Sequence, residues 1–111
     1  MKVGIVGAGK AGTLFLNTLS NINDVDIIGI MDVNSNAPGL IFAQEHDIPT
    51  FTDLASFMQH DMDMVLELTG HDGVLENIRS FKDEKTQIID SNAAKLALLL
   101  SEHQQTLNEK L

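Results

Sequence analysis

The run Gly7-Ala8-Gly9-Lys10-Ala11-Gly12 constrains this chain more than any other feature. It follows directly on Lys2-Val3-Gly4-Ile5-Val6, a short apolar run that reads as a buried strand. It leads into Lys10 to Ser20, where Leu14, Phe15, Thr18 and Leu19 form a helical stripe. A GxGxxG pattern alone is a weak signal. Between a strand and a helix it is the arrangement that cradles a dinucleotide. Gly7 permits the tight turn, Gly9 lets a pyrophosphate approach the backbone, and Gly12 lets the helix pack against the strand. Ala8, Lys10 and Ala11 complete the loop, whose helix start offers N–H groups and a positive dipole end to the phosphates.

The rest of the chain continues the alternation. Val25 to Met31 reads as a second strand ending at Asp32, and Pro38 opens a helix through Leu40, Ile41, Ala43 and Gln44. Ile48-Pro49-Thr50-Phe51 reads as a Pro-weakened edge strand. Thr52 is the expected N-cap of a short helix holding Leu54, Phe57 and Met58. Met62 to Leu68 is the fourth strand, closed by Thr69-Gly70. A helix through Val74, Leu75, Ile78 and Phe81 follows, then a fifth strand at Gln87-Ile88-Ile89 and a final helix from Ala93 to Leu111. Strict alternation with apolar strands implies an α/β fold, a doubly wound parallel sheet of Rossmann type with five strands in the order 3-2-1-4-5.

Asp32 lies about twenty residues past Gly12, where such a sheet places the acid that accepts hydrogen bonds from the adenosine ribose. Val33-Asn34-Ser35-Asn36 after it contains no Arg or Lys to hold a 2′-phosphate, so the expected cofactor is NAD rather than NADP. Val33 belongs to the same mouth. At the end of the fourth strand, Thr69, Gly70 and His71 fall near the nicotinamide ribose, because ligands bind beyond the carboxyl ends of the strands. His71 reads equally as an exposed polar residue, and Asp72 as part of the next helix start. Asp90-Ser91-Asn92 follows the fifth strand. Ser91 and Asn92 either reach the nicotinamide end or cap the last helix. Asp61 and Asp63, either side of Met62, are expected to face solvent, and Lys95 reads as a surface charge.

Composition narrows the function classes. The chain has 111 residues, enough for one core and too few for a cofactor domain plus a full substrate domain. A net charge of −9 argues against nucleic acid and against a polybasic membrane contact. There is no Cys, and His46, His60, His71 and His103 show no metal-ligand spacing, so no metal site and no thiolate catalysis are expected. No run approaches the ~20 apolar residues of a membrane span, and no cleavable leader is evident, which makes the cytoplasm the expected location.

Residues 3–12, 63–70 and 88–95 together resemble the NAD-binding domains of the homoserine dehydrogenase and aspartate dehydrogenase type. The resemblance implies cofactor contacts at the glycine loop, Asp32 and Thr69-Gly70. It departs after the fifth strand, where homoserine dehydrogenases carry an Asn-Lys pair. Here Asn92 is followed by Ala93 and the nearest Lys is Lys95, so no catalytic residue is assigned. In that family a sixth strand and a substrate domain follow. The chain is therefore expected to be the N-terminal part of a longer protein, with a further domain after Leu111. Leu96, Leu100, Leu107 and Leu111 give the last helix an apolar stripe that would pack on the sheet, support a homodimer or continue as a coiled coil. Three functions stay open on these grounds: an NAD(H)-sensing or regulatory module, the cofactor half of an amino-acid dehydrogenase, and the same fold with another adenine nucleotide such as coenzyme A.

Overall fold

The computed structural model describes the backbone of residues 1–110 and the side chains of residues 1–104. Ten elements alternate along the chain: β1 (Lys2–Val6), α1 (Lys10–Ser20), β2 (Asp26–Met31), α2 (Pro38–Glu45), β3 (Thr50–Phe51), α3 (Leu54–Phe57), β4 (Met64–Glu67), α4 (Asp72–Phe81), β5 (Gln87–Ile89) and α5 (Ser91–Lys110). The strands form one sheet in the order β3-β2-β1-β4-β5, and every neighbouring pair is parallel. This is the α/β, doubly wound order expected from the alternation.

Side-chain alternation along the strands splits the core in two. Val3, Ile5, Ile30 and Leu66 point to one face and pack with Leu16 of α1 and Leu40 and Ala43 of α2. Val6, Met31 and Val65 point to the other and pack with Phe57 of α3 and Ile78 of α4. Gly4 sits under the Phe57 ring, and a Cβ there would lie 2.6 Å from Phe57 Cζ. Both sheet faces are thus covered, which is why the strands read as apolar runs rather than alternating ones.

Several boundaries differ from the expected ones for identifiable reasons. β3 is only two residues long. Ile48 donates its N–H to the Ala43 carbonyl at the end of α2, and Pro49 has no N–H to give, although its carbonyl accepts from Ile30 N. The N-cap of α3 is Asp53, not Thr52: its Oδ2 accepts from Ser56 N at 3.1 Å and from Ser56 Oγ at 2.7 Å. Those bonds hold the Asp53 carboxyl below the ordinary carboxylate range. α5 starts at Ser91, because Asp90 Oδ1 accepts from Ala93 N. Ser91 and Asn92 are therefore first-turn residues and not caps. β4 begins at Met64, and Met62 is buried before it. Asp61 and Asp63 are exposed as expected, but both tie down β1. Asp61 pairs with Lys2 Nζ, and Asp63 Oδ2 accepts from Lys2 N. On α5, Leu96, Leu99 and Leu100 are exposed and Ala94 is buried against the sheet. Leu107 and Leu111 of the expected stripe lie outside the described residues. Among the described residues, no helix is long and apolar enough to cross a membrane.

The turn into β5 is held by one carboxylate. Asp83 Oδ1 accepts from Lys85 N and Thr86 N, each at 3.0 Å. The buried Thr86 hydroxyl lies 2.8 Å from the Met62 carbonyl and 3.0 Å from Asp83 Oδ1, and its single proton serves one of them at a time. The Thr86 side chain first, then its backbone N–H, lower the Asp83 pKa from 3.8. A depressed folded-state pKa stabilises the fold above the unfolded value and is lost as pH falls through the folded value. Asp83→Asn should therefore lower the melting temperature at pH 7. The gap to the parent chain should narrow as pH drops below about 3.8, in a series of thermal melts followed by circular dichroism.

Candidate functional site

β1 lies between β2 and β4, so the connections leaving its carboxyl end diverge, and a cleft opens there. The cleft holds about 470 Å³ and is lined from β1 by Val6, Gly7 and Gly9, from β2 by Met31, Asp32 and Val33, and from β4 by Leu68, Thr69 and His71. Leu54 of α3 and Val74 and Asn77 of α4 close its far side.

The glycine loop is built as the sequence requires. Gly7 has φ +105° and donates its N–H to the Met31 carbonyl at 2.8 Å. A Cβ on Gly7 would come within 3.0 Å of Thr69 N. A Cβ on Gly12 would lie 1.9 Å from the Gly7 carbonyl oxygen, so α1 can approach the turn only with glycine there. Gly9 is different. It has φ −77°, and a Cβ would meet nothing within 4 Å. Among the described residues nothing packs where that Cβ would be, and it would project into open space at the start of α1. That helix start has no side-chain cap. Lys10 and Ala11 are exposed on its first turn, beside the cleft rather than lining it.

Ala8 is fully buried, and its peptide groups are gripped from both sides. Its N–H donates to Asp32 Oδ2 at 2.8 Å, and its carbonyl accepts from Gly39 N at 2.7 Å. Gly39 must be glycine for this, since a Cβ would lie 2.8 Å from the Ala8 oxygen. Asp32 Oδ1 accepts from Asn34 N at 2.9 Å. Each carboxylate oxygen keeps a second lone pair for a ligand hydroxyl. Val33 is 81% exposed at the mouth.

On the β4 side, Glu67 is buried and its Oε1 accepts from Thr69 N, Thr69 Oγ1 and Gly70 N. Gly70 has φ +73°, the turn conformation that favours glycine. His71 is the N-cap residue of α4 but makes no side-chain cap, and it lines the cleft. Ser91 adjoins this turn, with its Oγ 3.8 Å from where a Gly70 Cβ would be. Ser91 and Asn92 do not line the cleft.

The structure thus brings Gly7, Gly9, Asp32, Val33, Thr69 and His71 to one cleft, with Ala8 and Gly12 as its hidden supports. Lys10, Ala11, Gly70 and Ser91 stand beside it, and Asn92 is on the exposed first turn of α5. Sequence reasoning placed Glu67 in the motif that ends the fourth strand without a role of its own, and assigned no site role to Gly39, Leu54, Val74 or Asn77. Glu67 carries a readable signal, an acid closing an otherwise apolar strand. The other four carry none, because their place depends on how α2, α3 and α4 pack.

Residues 1–93 match the family model described as dihydrodipicolinate reductase, N-terminus. The chain belongs to this family. It is an NAD(P)-binding, Rossmann-type N-terminal domain, the class of cofactor that the glycine loop suggests. No curated protein matches the chain. Among solved structures it is similar to the phosphoribosylglycinamide formyltransferase of Coxiella burnetii in complex with CHES. The identity is 20% and the TM-score 0.47, over 60% of this chain and 40% of that one. The chain therefore spans less than half the length of that protein.

Two glycines separate ligand binding from folding. Gly9→Ala should leave the melting temperature within about 4 °C of the parent, as an unstrained surface change does, while abolishing dinucleotide binding. Gly12→Ala should cost several times more stability, because the Gly7 carbonyl must move. Paired thermal melts and NADH titrations check both.

Proposed function

We propose that this chain is an NAD(H)-binding module that senses the cofactor on behalf of a longer protein of which it forms the N-terminal part. The observation that carries NAD(H) is the Asp32 carboxylate, set 2.8 Å from the Ala8 N–H of the glycine loop, with no Lys or Arg in residues 33–36. In this reading the adenosine ribose hydroxyls donate to the free lone pairs of Asp32, which would repel a 2′-phosphate. The pyrophosphate lies over Gly9, facing the N–H groups of Lys10 and Ala11. The adenine enters between Val33 and the Leu54, Val74 and Asn77 wall, an apolar slot with one polar edge. The nicotinamide ribose rests by Thr69, Gly70 and His71, with Ser91 and Asn92 at its outer side.

The sensing role draws support from the cleft's composition. Among the described residues, Asp32 and His71 are the titratable ones that line it, a set that suits holding a ligand more than turning one over. Binding would favour one conformation of the β4–α4 and β5–α5 turns, and α5 would carry that preference onward. A cytoplasmic setting and pairing of two copies through the exposed Leu96, Leu99 and Leu100 are compatible with this role. The family supports a second reading, the cofactor half of an oxidoreductase, for which the sequence resemblance suggests an amino-acid dehydrogenase. The bound nicotinamide would then supply the hydride, and this chain's residues would only orient it.

Calorimetric titration with NAD, NADH, NADPH and coenzyme A tests the cofactor. NAD or NADH should bind well and NADPH and coenzyme A poorly; equal binding of NADPH would refute the role given to Asp32. Asp32→Asn keeps one oxygen for the Ala8 N–H. It should lower NAD affinity about tenfold, as expected when a charged hydrogen-bond acceptor is neutralised. Oxidation of NADH by this chain with an added keto or imino acid would sink the sensing role and leave the oxidoreductase reading.

A further inference from the structure

Glu67 is 2% exposed, and the ion pairs Lys2–Asp61 and Arg79–Glu76 lie elsewhere. Burying a carboxylate away from water is costly unless hydrogen bonds offset it. Here all three bonds to Oε1 come from the Thr69-Gly70 turn: two backbone N–H groups and the Thr69 hydroxyl. An apolar residue would complete β4 equally well as a strand, so the acid serves the turn.

The Thr69 hydroxyl has one proton and two lone pairs. Its proton goes to Glu67, and one lone pair accepts from His71 N at 3.1 Å. One lone pair remains, on a residue that lines the cleft. Glu67 itself does not line it.

We propose that Glu67 is a positioning residue: by engaging the Thr69 proton it makes Thr69 Oγ1 an acceptor-only group, so that a ligand must bring a donor there. This deepens the cofactor reading above and rests on it. A ribose hydroxyl or a carboxamide N–H of the nicotinamide half meets the requirement. A phosphate or a carboxylate, which has only lone pairs, is turned away. Both the charge on Glu67 and the Thr69 oxygen are then needed, and they act as one unit.

A mutant cycle on the full chain, read by titration with NADH and with ADP, tests this. ADP lacks the nicotinamide half and reports on the rest of the cleft. Thr69→Val should weaken NADH about tenfold and Glu67→Gln about fivefold, the range for losing or neutralising one charge-assisted hydrogen bond. ADP affinity should stay within about twofold in both, as for changes remote from a ligand. The double variant should be no weaker than Thr69→Val alone. Additive losses, or parallel losses for ADP, would show a merely structural Glu67 and overturn the proposal. A parent chain that binds neither NADH nor ADP would overturn the cofactor reading instead. A ligand-free measurement keeps the two failures apart. Proton NMR of the parent should show a slowly exchanging, downfield Thr69 hydroxyl that moves upfield in Glu67→Gln. Absence of that signal in the parent overturns the proposal whatever the titrations give.

Discussion

β1 is hydrogen-bonded along both edges, to β2 on one side and to β4 on the other. A strand held in this way can send its chain onward only above the sheet, and the next parallel strand must be reached by a crossover. The first crossover, α1, returns to β2, while the chain that builds β4 arrives from the far side after α3. The two sets of loops part at the carboxyl end of β1. Gly7 stands at that parting, with its N–H on Met31 and its α-carbon against Thr69. The cleft is therefore a result of topology, and its chemistry is set by what the neighbouring strands end in.

Those strand ends are polar where the strands are not. β2 ends beside Asp32 and β4 ends in Glu67, and both acids turn back to serve backbone N–H groups. Asp32 faces the glycine loop and keeps lone pairs at the cleft, whereas Glu67 lies below its own turn. Two carboxylates in equivalent positions thus have different tasks. One can meet a ligand, and the other arranges a neighbour that can.

The fold was legible because its signals are local and periodic. Apolar strands, helical stripes and the glycine spacing each stand in a short window, and together they favour the strand order that the sheet has. The half of the site made by Gly7, Gly9 and Asp32 was legible for the same reason. Element ends were less so. Thr52 and Asp53 are both competent caps, and the backbone N–H and hydroxyl of Ser56, both donating to Asp53 Oδ2, decide between them. Ser91 and Asn92 lost to Asp90 in the same way. The wall formed by Leu54, Val74 and Asn77 was beyond sequence reasoning, since core-facing and cleft-facing residues of a helix share one stripe.

The double grip on Ala8 ties two properties together that are often treated as separable. Asp32 at once lines the cleft and accepts from a buried N–H, and leaving that N–H without a partner costs about 1–3 kcal/mol. The Ala8 carbonyl depends on Gly39 in turn, so the 32–39 segment and the glycine loop form one mechanical unit. Asn in place of Asp32 would keep an oxygen for the Ala8 N–H, but a chain that traded Asp32 for Gly or Ala could not keep it paired. Such a chain would first need another acceptor beneath Ala8, from Asn34 or from a shifted α2. Residue 32 is thus constrained by the loop it holds as well as by the cleft it lines.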